Sequence, residues 1–141
     1  MTGSPLIWVH LDALSLSHPV FQAAPPHAEA VYIWDENDVA RRGWSLKRCV
    51  FVLDCLAAMD VPVVAGQAEA VLSGHTVYVA NSVDPQIRQI VVSLGDAVTV
   101  VRERAFATLP DDTDMGRFFR FWNTVRRSAM RPPDLETKNQ I

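Results

Sequence analysis

Cysteine is scarce in this 141-residue chain, and two further features are missing: a long apolar run and a glycine-rich phosphate loop. Cys49 and Cys55 are too few for a disulfide framework, and nothing else points to an oxidising compartment. No stretch approaches the ~20 consecutive apolar residues that span a bilayer. The opening Met-Thr-Gly-Ser-Pro-Leu-Ile-Trp lacks the cationic flank and apolar core of a secretory signal. Neither G-x-G-x-x-G nor G-x-x-x-x-G-K-S/T occurs, and there is no G-x-S-x-G elbow. His10, His18, His27 and His75 are scattered, with no His-x-x-x-His or Cys-x-x-Cys, so no metal site is expected. Asp111, Asp112 and Asp114 lack the glycine and closing glutamate of a calcium loop. No catalytic constellation is present, and enzyme activity is not expected.

Thirteen Lys and Arg against sixteen Asp and Glu give a net charge of −3, which argues against a nucleic-acid partner. Hydrophobic residues make up 49% and charged residues 21%, enough apolar material for a packed core. The expectation is a cytoplasmic protein with one domain over residues 1–131 and a polar tail over 132–141.

Five short apolar runs alternate with helical patterns. They are Leu6–Val9, Ala30–Trp34, Val61–Ala65, Thr76–Ala80 and Ala97–Val101, all rich in β-branched residues. Runs that are apolar on both faces suit parallel strands covered by helices on either side. Pro62 lacks an amide donor, so the third strand belongs at an edge or begins after it. Ser45 is a candidate N-cap for a helix with Leu46, Cys49, Val50, Leu53, Leu56 and Ala57 as its core stripe. A second helix follows Asp84-Pro85, with Ile87, Ile90, Val91 and Leu94 inward and Gly95 as its stop. Ala68–Leu72 is a shorter candidate. The order predicts an α/β fold: a doubly wound, Rossmann-like five-stranded parallel sheet followed by a C-terminal amphipathic helix. That last helix covers 116–130, with Phe118, Trp122, Val125 and Ala129 on one stripe and Arg117, Arg120, Arg127 and Arg131 on another.

The segment Trp8-Val9-His10-Leu11-Asp12-Ala13-Leu14-Ser15-Leu16-Ser17-His18-Pro19 resembles the opening of the DNA photolyase/cryptochrome family. The family pattern there is Trp-Phe-Arg-Arg-Asp-Leu-Arg-Leu-x-Asp-Asn-Pro, and Trp8, Asp12 and Pro19 stand at matching positions. Tyr32-Ile33-Trp34-Asp35 resembles the family's second strand, and Arg42, Leu46 and the stripe after them its first long helix. Val77–Asn81 with Pro85 resembles a later strand and helix, and Gly116, Phe119, Phe121 and Trp122 the exit from the N-terminal domain. His10-Leu11 replaces Arg-Arg, and the family's helical FAD domain has no counterpart in these residues. The resemblance therefore implies the antenna domain's fold, without light-driven repair by this chain alone. In some relatives that domain holds FMN, a deazaflavin or a folate; FAD is not expected here.

Open α/β sheets bind ligands beyond the carboxyl ends of their strands, where the winding reverses. His10, Leu11 and Asp12 would line that crevice after the first strand, Asp35 and Glu36 after the second, and Asn81 after the fourth. Arg41, Trp44 and Lys47 would overhang it. The alternative is that Asp12 and Asp35 cap local turns while Trp34 and Trp44 fill the crevice. Two functions follow. One is a non-catalytic binding or accessory module for a flavin-, folate- or nucleotide-like ligand, working with a separate flavoprotein. The other is an interaction module that dimerises or docks through Phe119, Arg120, Phe121, Trp122 and Arg127, aromatic and arginine residues being typical of interface centres.

Overall fold

A computed structural model describes residues 3–105, 107, 109–113 and 115–130. The chain divides into two compact units, Met1–Glu103 and Arg104–Ile141. The first contains β1 (Gly3–Val9), a 3-10 turn (Leu11–Ala13), α1 (Val20–Ala23), β2 (Glu29–Trp34), α2 (Glu36–Arg41), α3 (Leu46–Ala58), β3 (Val63–Ala65), α4 (Ala68–Leu72), β4 (His75–Ala80), α5 (Pro85–Leu94) and β5 (Val98–Val101). The strands form one sheet in the order β3-β2-β1-β4-β5, with every pairing parallel. The order reverses at β1 and β4, so the crevice geometry of a doubly wound sheet is present.

Alternation along the strands divides the core. Trp8, Val31, Ile33, Val77 and Val79 pack with Ala68 and Leu72 of α4 and Ile87 and Ile90 of α5. Ile7, Val9 and Tyr32 point to the opposite face and pack with Val20 of α1 and Val52 and Leu56 of α3. The third strand begins at Val63 and lies at an edge, while the Pro62 carbonyl accepts the Tyr32 amide at 2.9 Å. The proline thus contributes the one backbone group it can.

The helix ends follow their capping chemistry. The Ser45 hydroxyl accepts the Arg48 amide, and Asp84 Oδ1 accepts the Gln86 amide at 2.8 Å. Gly95 closes α5 at φ +61, where a side chain would be strained.

The inward stripe of α3 is a correction to the sequence reading. Val52 and Leu56 are buried, with Cys49, Cys55 and Met59 half-buried beside them. Leu46, Val50, Leu53 and Ala57 are exposed instead. The helix carries apolar residues on two sides, and hydrophobic spacing alone does not say which side the sheet will take. As expected, α3 begins at Leu46 behind its Ser45 cap, while Arg42, which the resemblance grouped with that helix, caps the C-terminus of the separate α2.

The second unit contains α6 (Phe118–Ala129). Phe118 stacks on Trp122 at 6.4 Å with the rings 6° apart, and Val125 is the buried position of the helix. Arg117, Arg120 and Arg127 are exposed. Asp114, Arg131 and the tail 132–141 lie outside the described residues.

Candidate functional site

The residue after β1 organises the carboxyl end of the sheet. His10 is buried; its Nε2 donates to the Ala80 carbonyl at 2.8 Å, and its Nδ1 accepts the Asp12 amide at 3.2 Å. Only the neutral Nε2–H tautomer satisfies both contacts. Burial lowers the His10 pKa, outweighing the opposing pull of the Ala80 carbonyl and Asp12. His10 therefore ties the end of β1 to the end of β4 as a neutral ring.

From there a polar chain continues. The Ser82 hydroxyl donates to Asp12 Oδ2 and accepts the Asp84 amide. Asp84 Oδ2 meets Arg42 Nη1 at 2.7 Å, and Arg42 Nε meets Asp38 Oδ2 at 2.8 Å. Asp38 also pairs with Arg41. Burial by itself raises the Asp84 pKa, but the Arg42 hydrogen bond and the amides of Gln86 and Ile87 more than offset it, leaving Asp84 low. The Arg42 pKa is raised, chiefly by Asp84.

Beside this chain lies a pocket of about 70 Å³. Trp8, Leu11, Tyr32, Ile33 and Ile87 form much of its apolar lining, and Asp35, Asp38, Arg42, Glu69 and Gln86 are its polar side chains, with Ala68 and His10 also at the wall. Tyr32 is kept protonated, its pKa pushed up by burial to about 12. The lining carries three carboxylates against one guanidinium, and that guanidinium is already paired with Asp38 and Asp84. A phosphate would find no free cation there.

The structure brings His10, Leu11 and Asp35 to this pocket. Asp12 is close by in the polar chain, but it accepts from Ser82. Asp35 also caps α2, its Oδ1 accepting the Asn37 and Asp38 amides. Glu36, Arg41, Trp44, Lys47 and Asn81 are not among the pocket's lining residues. Arg41 pairs with Asp38 at the surface. Trp44 packs edge-on against Trp34 at 6.1 Å and lies under Arg48 at 5.8 Å. The Asn81 backbone amide donates to the Val101 carbonyl at 2.8 Å, and the residue lines a separate groove with Val92 and Arg102. Trp8, from the opposite face of the sheet, occupies the position expected of Trp34 and Trp44.

Arg42, Asp38, Asp84, Glu69 and Gln86 were not legible as site residues. Asp38 and Arg42 show only ordinary i,i+4 helix spacing, and Arg42 and Asp84 meet only after the chain folds. Among the described residues no group of His, Cys, Asp and Glu is arranged to hold a metal, and no helix is long and apolar enough to cross a membrane. No family model, curated protein or solved structure matches the chain.

Proposed function

We propose that the chain is a non-catalytic ligand-binding or accessory module, similar to the photolyase/cryptochrome antenna domain, whose switch-point pocket takes the edge of a planar heterocycle. The observation that carries this reading is the pocket's lining: apolar walls from Trp8, Leu11 and Ile87 with a carboxylate-rich rim. Carboxylates accept from the amine and ring N–H edge of a pterin-, flavin- or adenine-type ring and repel its phosphates. The pocket is far below the ~300–1,000 Å³ of a site that encloses a whole ligand. The ring would enter edge first, leaving its phosphate or glutamate tail in solvent. A ring bound this way supplies the photophysics, and the protein supplies its orientation.

The test is direct. Purified protein carrying a chromophore absorbs beyond the tryptophan band, and ligand-free protein gains thermal stability with FMN or a folate by mass action. A colourless preparation stabilised by none of FMN, folate or adenosine contradicts the reading. The second reading, docking through Phe119, Arg120, Phe121, Trp122 and Arg127, is favoured by exposed aromatics on α6: Phe118 is 67% and Phe119 77% accessible. It requires Phe119→Asp or Trp122→Ala to change the sedimenting species while the fold is retained.

A further inference from the structure

The face of α3 turned away from the sheet is unusually apolar. Leu46 is 79% exposed, Phe51 59%, Val50 49% and Leu53 41%. Leu46, Val50, Leu53 and Ala57 recur at i, i+4, i+7 and i+11, which makes one continuous stripe. Phe51 and Ala58 flank the other side of the exposed face. Between the two lie Lys47 and Asp54, both exposed. They are about two turns apart on the same outward line, and neither side chain is in a hydrogen bond or ion pair among the described residues.

We propose that this face pairs with the same face of a second copy of the chain, the two α3 helices running antiparallel about a two-fold axis between Val50 and Phe51. The charge pattern selects that occupant and that direction. Positions 47 and 54 are equidistant from the axis, so Lys47 of each copy meets Asp54 of the other, twice. Val50 and Phe51 meet at the centre, with Leu46 and Leu53 outside them. A parallel pairing would set Lys47 against Lys47 and Asp54 against Asp54, which repel. Self-complementarity of this kind is what an isologous interface needs.

The contact is small. Thirteen residues make a helix ~20 Å long, and one such face falls below the ~800 Å² per partner of a standard interface. Association is therefore weak, with Kd on the order of 10–100 µM. This inference stands apart from the ligand pocket, whose lining includes no α3 residue.

Sedimentation velocity of the full chain from ~5 to ~500 µM tests it, with circular dichroism to verify folding. Wild type passes from monomer to dimer across that range. Val50→Asp weakens the dimer at least ~10-fold, and because Val50 is half exposed the fold is kept. Lys47→Asp weakens it by ~5-fold, and Lys47→Asp with Asp54→Lys restores it to within ~2-fold, since the swap reverses both pairs. A wild type that stays monomeric overturns the proposal. So does a dimer indifferent to Val50→Asp, which places the contact elsewhere, or a double swap that recovers nothing.

Discussion

Arg42 Nη1 and Asp84 Oδ2 lie 2.7 Å apart, tying the end of α2, which follows β2, to the cap of α5, which follows β4. Both side chains are three-quarters or more buried, and Arg42 also holds Asp38. Arg42→Met leaves the part-buried Asp84 carboxylate without its cation and Asp38 with Arg41 alone, and should cost about 1–2 kcal/mol. The pH dependence has a definite sign. Asp84 is held below its ordinary value, so its stabilising increment is full above the unfolded pKa of ~3.9 and is lost as pH falls through the lower folded value. Acid unfolding of wild type below about pH 4 should therefore be steeper than that of Arg42→Met; parallel acid limbs would contradict the assignment.

His10 governs a different window. Its pKa is lowered by burial, so the folded state resists protonation while the unfolded state takes up a proton near pH ~6.5. Stability is full above that pH and declines as pH drops from ~6.5 toward the folded pKa. His10→Gln keeps a donor within reach of the Ala80 carbonyl and should flatten the melting-temperature profile between about pH 7 and 5. His10→Ala should cost about 1–3 kcal/mol, because the Ala80 carbonyl and Asp12 amide both lose a partner. A variant whose pH profile superimposes on wild type excludes this role.

The strands and the caps were legible because their signals are local. β-branched runs, Pro62 at a strand entry, Ser45 ahead of α3, and Pro85 and Gly95 at the two ends of α5 each act within a few residues. The inward face of α3 was not legible, since Leu46 and Val50 are as apolar as Val52 and Leu56, and only the position of the sheet decides between them. The site was read in part. His10, Leu11 and Asp35 follow from the rule that ligands meet strand ends, whereas the Arg42–Asp84 pair depends on two crossovers meeting in space. Arg41 and Arg42 are sequence neighbours, but the ~100° between them around the helix axis leaves Arg42 at the pocket and Arg41 outside it.

Asp60 is the one described non-glycine residue at positive φ, at +54. It follows α3 where the Val61 amide donates back to the Leu56 carbonyl, a left-handed closing position that glycine prefers. Asp60→Gly should raise stability by about 0.5–1 kcal/mol in urea unfolding. A loss of stability would show that the aspartate makes a compensating contact.

Ala68 lines the pocket from α4 and is buried. Ala68→Leu adds three carbons to a space of about 70 Å³. The fold should survive with at most ~1–3 kcal/mol of overpacking, while any stabilisation by FMN, folate or adenosine disappears. Undiminished stabilisation would place the ligand elsewhere.

The most direct measurement is a titration of the isotopically labelled full chain with FMN, folate and adenosine, followed through its backbone amide NMR signals. The account predicts that at least one of these rings moves the signals of His10, Leu11, Asp38, Arg42 and Gln86 together and saturably. Signals that stay still at millimolar ligand, or that move only between residues 118 and 130, would contradict it.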